Sequence, residues 1–170
     1  KLTASDGAVS DYFGNSVAIS GDTAIVGAYE NDDNGYGSGS AYIYSRQVDG
    51  SWLQLNKLLA SDGAEYDYFG YSVAISGDTA IVGANSDDDN GSYSGSAYIY
   101  RRQTDGSWLE TKLLASDGAA RDYFGNSVAI SGDTAIVGAW RDSNNNGSSS
   151  GSVYIYTGQA DGRWLETKLL

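Results

Sequence analysis

The segment DYFGNSVAISGDTAIVGA starts at Asp11 and returns almost letter for letter at Asp67 and Asp122. Only one of its eighteen positions changes, reading Asn15, Tyr71 and Asn126. Fixed landmarks extend the repeat: Phe13, Phe69 and Phe124 lie 56 and 55 residues apart, and Trp52, Trp108 and Trp164 lie 56 and 56 apart. The slip is local, since ETK replaces QLNK in the second linker and the third acidic loop gains one residue. Such a period lies slightly above the ~40–50 residues of four-stranded propeller blades and excludes short solenoid repeats. The units read as 1–56, with residues 1–4 the remnant of a fourth strand, then 57–111 and 112–170, in one repeat domain.

Within a unit the pattern alternates with period two, so each unit reads as four strands. YFGNSVAIS sets Phe13, Val17 and Ile19 on one face and Gly14, Ser16 and Ala18 on the other. A face of large residues opposite a face of small ones suits sheets stacked closely on both sides. Gly21-Asp22 is a two-residue hairpin signal leading into TAIVGA. A polar loop precedes SAYIYS, in which Tyr42 and Tyr44 face away from Ala41 and Ile43. Asp49-Gly50 then turns the chain into SWLQLNKLL, and no stretch carries helical periodicity. The expected fold is all-β: a β-propeller with three four-stranded antiparallel blades, in which strand A lines the central channel. A β-solenoid of stacked hairpins is the alternative.

Composition removes several chemistries. With no Cys and no His there is no thiolate, no histidine base and no zinc site of ordinary type. A net charge of −12 disfavours nucleic acid and anionic membrane as partners and leaves room for cations. No apolar run reaches the ~18 residues of a membrane span. Neither a signal peptide nor an initiator Met is present, so the chain reads as a processed product, an excised fragment or an engineered protein.

The Phe-Gly pairs at Phe13-Gly14, Phe69-Gly70 and Phe124-Gly125, followed by Val-Ala-Ile and by Gly27-Ala28, Gly83-Ala84 and Gly138-Ala139, resemble the FG-GAP repeat of integrin alpha-subunit propellers. Bacterial surface or secreted proteins with tandem copies are the nearest type. The Pro of the family motif is absent from all three units. The resemblance implies a propeller fold and an extracellular or cell-surface location. The calcium loop that such blades often carry between their first two strands has no counterpart here. Ser20-Gly21-Asp22-Thr23 is too short to wrap an ion that takes six to eight oxygens.

Acidic residues gather instead in the loops between the second and third strands and in the connections that enter each strand A, at Asp6/Asp11, Asp62/Asp67 and Asp117/Asp122, which are expected to emerge on the same face. Glu30, Asp32 and Asn34 before Gly35, Asp88 and Asn90 before Gly91, and Asp142, Asn144 and Asn146 before Gly147 alternate as in the start of an oxygen-ligand loop. These are the candidate Ca2+ ligands, but the twelfth positions, Ala41, Ala97 and Val153, lack the closing carboxylate. A solvated turn rich in Asp, Asn, Gly and Ser is the competing account. Asp11, Asp67 and Asp122 are expected to satisfy backbone donors at the start of strand A rather than to act catalytically. Trp140 and Arg141 occur only in the third unit and form a candidate ligand contact, against a drifted surface position. Asn90-Gly91-Ser92 and Asn146-Gly147-Ser148 match the glycosylation pattern that Asn-Gly turns also produce by chance.

Paired carboxylates support glycoside hydrolysis in other proteins, but three nearly equivalent units single out no acid and no base, so no enzyme activity is expected. Propellers close with ~4–8 blades, and three would leave apolar faces at both ends, to be covered by a second copy or by the further blades of a larger propeller of which this chain is a part. The expectation is a non-catalytic repeat scaffold or binding module, natural and amplified or engineered, that forms a homodimer to complete a six-bladed ring. The alternative is a calcium-assisted adhesion or carbohydrate-binding module that uses the acidic loops, with an extracellular protein or glycan as ligand.

Overall fold

Each repeat turns its period-two alternation into one antiparallel sheet. The computed structural model describes residues 1–169, so Leu170, the last residue of the expected third unit, lies outside the described residues. The first sheet holds β1 (Val17–Ser20), β2 (Thr23–Ala28), β3 (Ser40–Arg46) and β4 (Trp52–Leu58). The second holds β5 (Phe69–Ser76), β6 (Thr79–Ala84), β7 (Ser96–Arg102) and β8 (Trp108–Leu113). The third holds β9 (Phe124–Ser131), β10 (Thr134–Ala139), β11 (Ser152–Gly158) and β12 (Trp164–Leu169). Strands follow one another in sequence order across every sheet, the meander of a propeller blade, and no helix occurs among the described residues. The expected unit ends at 56 and 111 fall inside strands, because β4 runs on to Leu58 and β8 to Leu113.

The first strand is shorter in the first unit, and the difference lies in a bridge between units. Phe69 and Phe124 begin β5 and β9 by forming parallel bridges to Gly39 and Gly95 of the preceding unit. Phe13 makes no such bridge among the described residues, and β1 starts only at Val17. A bulge between Phe69 and Ser72 interrupts the ladder yet leaves Phe69 in one apolar cluster with Val73 and Ile75. The shared face expected for Phe, Val and Ile is therefore present.

The sheets stack face on face through two equivalent junctions. At the first, Ile25, Ala41, Ile43 and Leu58 meet Phe69, Val73, Val82 and Tyr98. At the second, Ile81, Ala97, Ile99 and Leu113 meet Phe124, Val137, Tyr154 and Tyr156. Ring edges lock the incoming faces, with Phe69–Tyr98 and Phe124–Tyr154 both T-shaped at 5.3 Å. Glycine sets the spacing: a Cβ on Gly27 would overlap the carbonyl oxygen of Gly70, and one on Gly83 that of Gly125.

The same positions are open at the two ends of the stack. Val73 and Ile75 are 6% and 7% exposed, whereas Val17 and Ile19 are 66% and 64% exposed. Ile25 and Ile81 are fully covered, whereas Ile136 is 39% exposed. Leu58 and Leu113 are buried, whereas Leu169 is 47% exposed.

Candidate functional site

One lysine per unit organises the acidic loops. Lys57, Lys112 and Lys168 stand on β4, β8 and β12, directly opposite Tyr42, Tyr98 and Tyr154 on the neighbouring strands. That register puts each ammonium over a tyrosine ring, 5.2, 5.2 and 5.1 Å from its centroid. Each tyrosine hydroxyl donates to an aspartate of the connection that enters its unit: Asp6 at 2.9 Å, Asp62 at 2.9 Å and Asp117 at 2.8 Å. The lysine takes the other oxygen of the same carboxylate at 2.6, 2.7 and 2.6 Å.

The loop between the second and third strands completes the cluster. Lys57 also reaches Asp33 at 2.6 Å, Lys112 reaches Asp87 at 2.9 Å and Asp89 at 2.7 Å, and Lys168 reaches Asp142 at 2.6 Å. In the second unit Asp62, Asp87 and Asp89 place oxygens within 4.8 Å of one another, with the Lys112 nitrogen among them. An ammonium has three N–H donors, so three carboxylates use them all. Burial opposes the charge on Lys112, but Asp62, Asp89 and Asp87 outweigh it and hold the amine above the ordinary lysine range. Burial likewise pushes Asp62 up, and Lys112 with Tyr98 pulls it below the ordinary carboxylate value.

The expected calcium ligands are not brought to one point. Asp32 and Asp88 turn back to close their own loops, accepting from the Gly37 amide at 2.7 Å and the Tyr93 amide at 2.6 Å. Asn34 and Asn90 donate to the carbonyls of Ala60 and Ala115, both at 3.4 Å. Asn144 donates to the Gly151 carbonyl at 2.8 Å and accepts from the Asn146 amide at 2.9 Å. Glu30 lies beside Tyr29 and Tyr68 and helps to push both phenols up, after burial. Asp142 alone of the eight joins a lysine cluster. The converging residues stand one position away, at Asp33, Asp87 and Asp89, with Asp6, Asp62 and Asp117 from the incoming connections. Their signal was the lysine recurring at one fixed place in every fourth strand.

Asp11, Asp67 and Asp122 accept from the amides of Ala8, Ala64 and Ala119 at 2.8, 2.7 and 2.7 Å, the backbone role expected of them. Burial raises Asp67 to about 6, against the pull of the Ala64 amide, and Asp87 adds to the rise. Burial also raises Asp122. Trp140 and Arg141 do come together, with the guanidinium 4.5 Å from the Trp140 ring and 5.6 Å from that of Tyr123. Trp140 also borders a groove on the uncovered side of the third sheet, lined by Ser127, Ile136, Gly138, Val153 and Leu169.

The family model described as the FG-GAP repeat matches residues 1–44, 52–100 and 108–156. Comparison with curated proteins gives no match.

Proposed function

The chain belongs to the FG-GAP repeat family, and from that premise we propose that it is a non-catalytic binding scaffold whose open ends self-associate to close a propeller. FG-GAP repeats are typical of extracellular or surface proteins, and we assign this chain to the same setting. One observation carries the reading. Ile136 and Leu169 on the outgoing face of the third sheet and Val17 and Ile19 on the incoming face of the first are open, and their counterparts pack on each other twice within the chain. Two chains of three blades give six, within the ~4–8 of closed propellers.

Burying Val17, Ile19, Ile136 and Leu169, which are 39–66% exposed in the single chain, favours association by roughly half of the ~1.5–3 kcal/mol of a complete burial for each. Catalysis has no place in this reading, since in every unit one lysine pairs the aspartate of the incoming connection and at least one loop aspartate. A calcium-assisted module rests on Asp62, Asp87 and Asp89, where calcium would have to displace the Lys112 ammonium. Light scattering with calcium and then with a chelator separates the two readings. A mass of twice 17.9 kDa in both supports the ion-independent ring. A dimer that needs calcium favours the second reading, and a folded monomer in both removes self-association.

A further inference from the structure

Residues 1–6 lie against the first sheet as the end of a preceding unit would. Leu2 and Ala4 pack on Val26, Ala28, Tyr42 and Tyr44. The Tyr44 hydroxyl donates to the Thr3 carbonyl at 2.8 Å, as Tyr100 does to Leu59 at 2.8 Å and Tyr156 to Leu114 at 2.9 Å. The Ser5 amide donates to Gln54 at 3.0 Å, as those of Ser61 and Ser116 do to Glu110 and Glu166 at 3.1 and 3.0 Å. Lys1-Leu2 therefore hold the place that Lys57-Leu58 and Lys112-Leu113 hold at the internal junctions. Lys168-Leu169 is the same dipeptide once more.

An incoming third sheet would bring its own Leu169 to the spot that Leu2 occupies. The two claims are unequal. Leu169 is paired with Val153 at the end of a six-position ladder, and Lys168 is held by Asp117 and Asp142. Lys1 makes no ion pair among the described residues, Thr3 and Ser5 are held only by hydrogen bonds to Tyr44 and Gln54, and the first ion-paired anchor is Asp6, bound by Lys57 and Tyr42. The segment that yields is residues 1–3.

Gly138, a copy of Gly27 and Gly83 in the repeated segment, is compatible with the same docking. Its counterparts Gly27 and Gly83 are obligatory because the next sheet's Gly70 and Gly125 carbonyls lie where a Cβ would be. Among the described residues no sheet packs on Gly138, φ lies outside the left-handed region, and only the rotatable Ser127 hydroxyl is near. Nothing within the single chain demands glycine there from the backbone.

We propose that a second copy docks its third sheet on the first sheet in the internal register. Gly138 then meets the Gly14 carbonyl, Leu169 replaces Leu2, and residues 1–3 act as a detachable placeholder that restrains assembly. The inference rests on the self-association reading and specifies its surface and its control.

The test compares the sedimentation of the parent chain with that of Leu2→Ser, Gly138→Ala and Ile19→Lys. Leu2→Ser loosens the placeholder and should tighten association several-fold. Gly138→Ala and Ile19→Lys should weaken it at least tenfold while far-UV circular dichroism stays that of the parent. Ile19 is exposed in the single chain, so Ile19→Lys keeps the test valid if Gly138→Ala disturbs Ser127 and fails to fold. A parent dimer that Leu2→Ser leaves unchanged or weakens overturns the placeholder. A dimer that survives Ile19→Lys overturns the docking register. A monomeric parent and monomeric Leu2→Ser together overturn the self-association reading and this inference with it.

Discussion

At the scale of single residues, the central device is an internal cation. Lys112 is surrounded by three carboxylates, one of them the buried Asp87. Removing one partner of a buried ion pair strands the other's charge, which costs more than the pair itself contributes. Lys112→Met is expected to lower stability by about 2–3 kcal/mol, below the full buried-pair value because Asp62 and Asp89 remain half-exposed. The three stranded carboxylates then form a site for a hard cation. Calcium should restore part of the lost Tm in Lys112→Met and leave the parent's unchanged, as thermal melts with and without the ion would show.

A second expectation follows from Asp67, whose folded pKa of about 6 exceeds the ~3.9 of an unfolded aspartate. Between those values the folded chain binds the extra proton, so stability rises as pH falls from above 6 towards 4. Below that window Asp6, Asp62 and Asp117, all held low by their lysines, take up protons and stability falls again. Denaturant titrations from about pH 2 to 7 should show this maximum, and Asp67→Asn should flatten its upper side.

At the scale of strands and loops, what the sequence revealed depended on whether period-two geometry applied. The split between Ala41 with Ile43 and Tyr42 with Tyr44 was readable, because neighbouring residues in a strand must point to opposite faces. The acidic loops obey no such period. Asp32 and Asp88 turn back to close the loop, which shifts the inward-facing set by one position to Asp33 and Asp89. The lysine that gathers them comes from a strand more than twenty residues further along, and the β3–β4 register that delivers it is a tertiary fact. The short β1 was unreadable for a similar reason, since the longer β5 and β9 begin on a bridge to another unit.

The junction glycines give a prediction at this same scale. Gly83→Ala forces a Cβ onto the Gly125 carbonyl between packed sheets and should cost about 3 kcal/mol, in the range of core overpacking. Gly138→Ala meets only a rotatable hydroxyl and should cost well under half as much in the unassociated chain. Denaturant unfolding at concentrations too low for association compares the two directly.

At the scale of the whole molecule, two forces oppose each other. Apolar faces at both ends of the stack favour joining, while a net charge of −12 on each chain resists it. Salt screens the repulsion and leaves apolar burial in place, so association should strengthen as ionic strength rises. A faces-to-charges assembly would respond in the opposite direction. The meeting of unlike ends also has two geometric outcomes, because such an interface closes into a ring if the rotation permits and otherwise continues as a filament. Sedimentation velocity over a wide concentration range at moderate salt distinguishes them most directly. The account predicts one heavier species at twice 17.9 kDa that grows no further as concentration rises. A chain that stays at 17.9 kDa throughout, or a mass that climbs without a plateau, would contradict it.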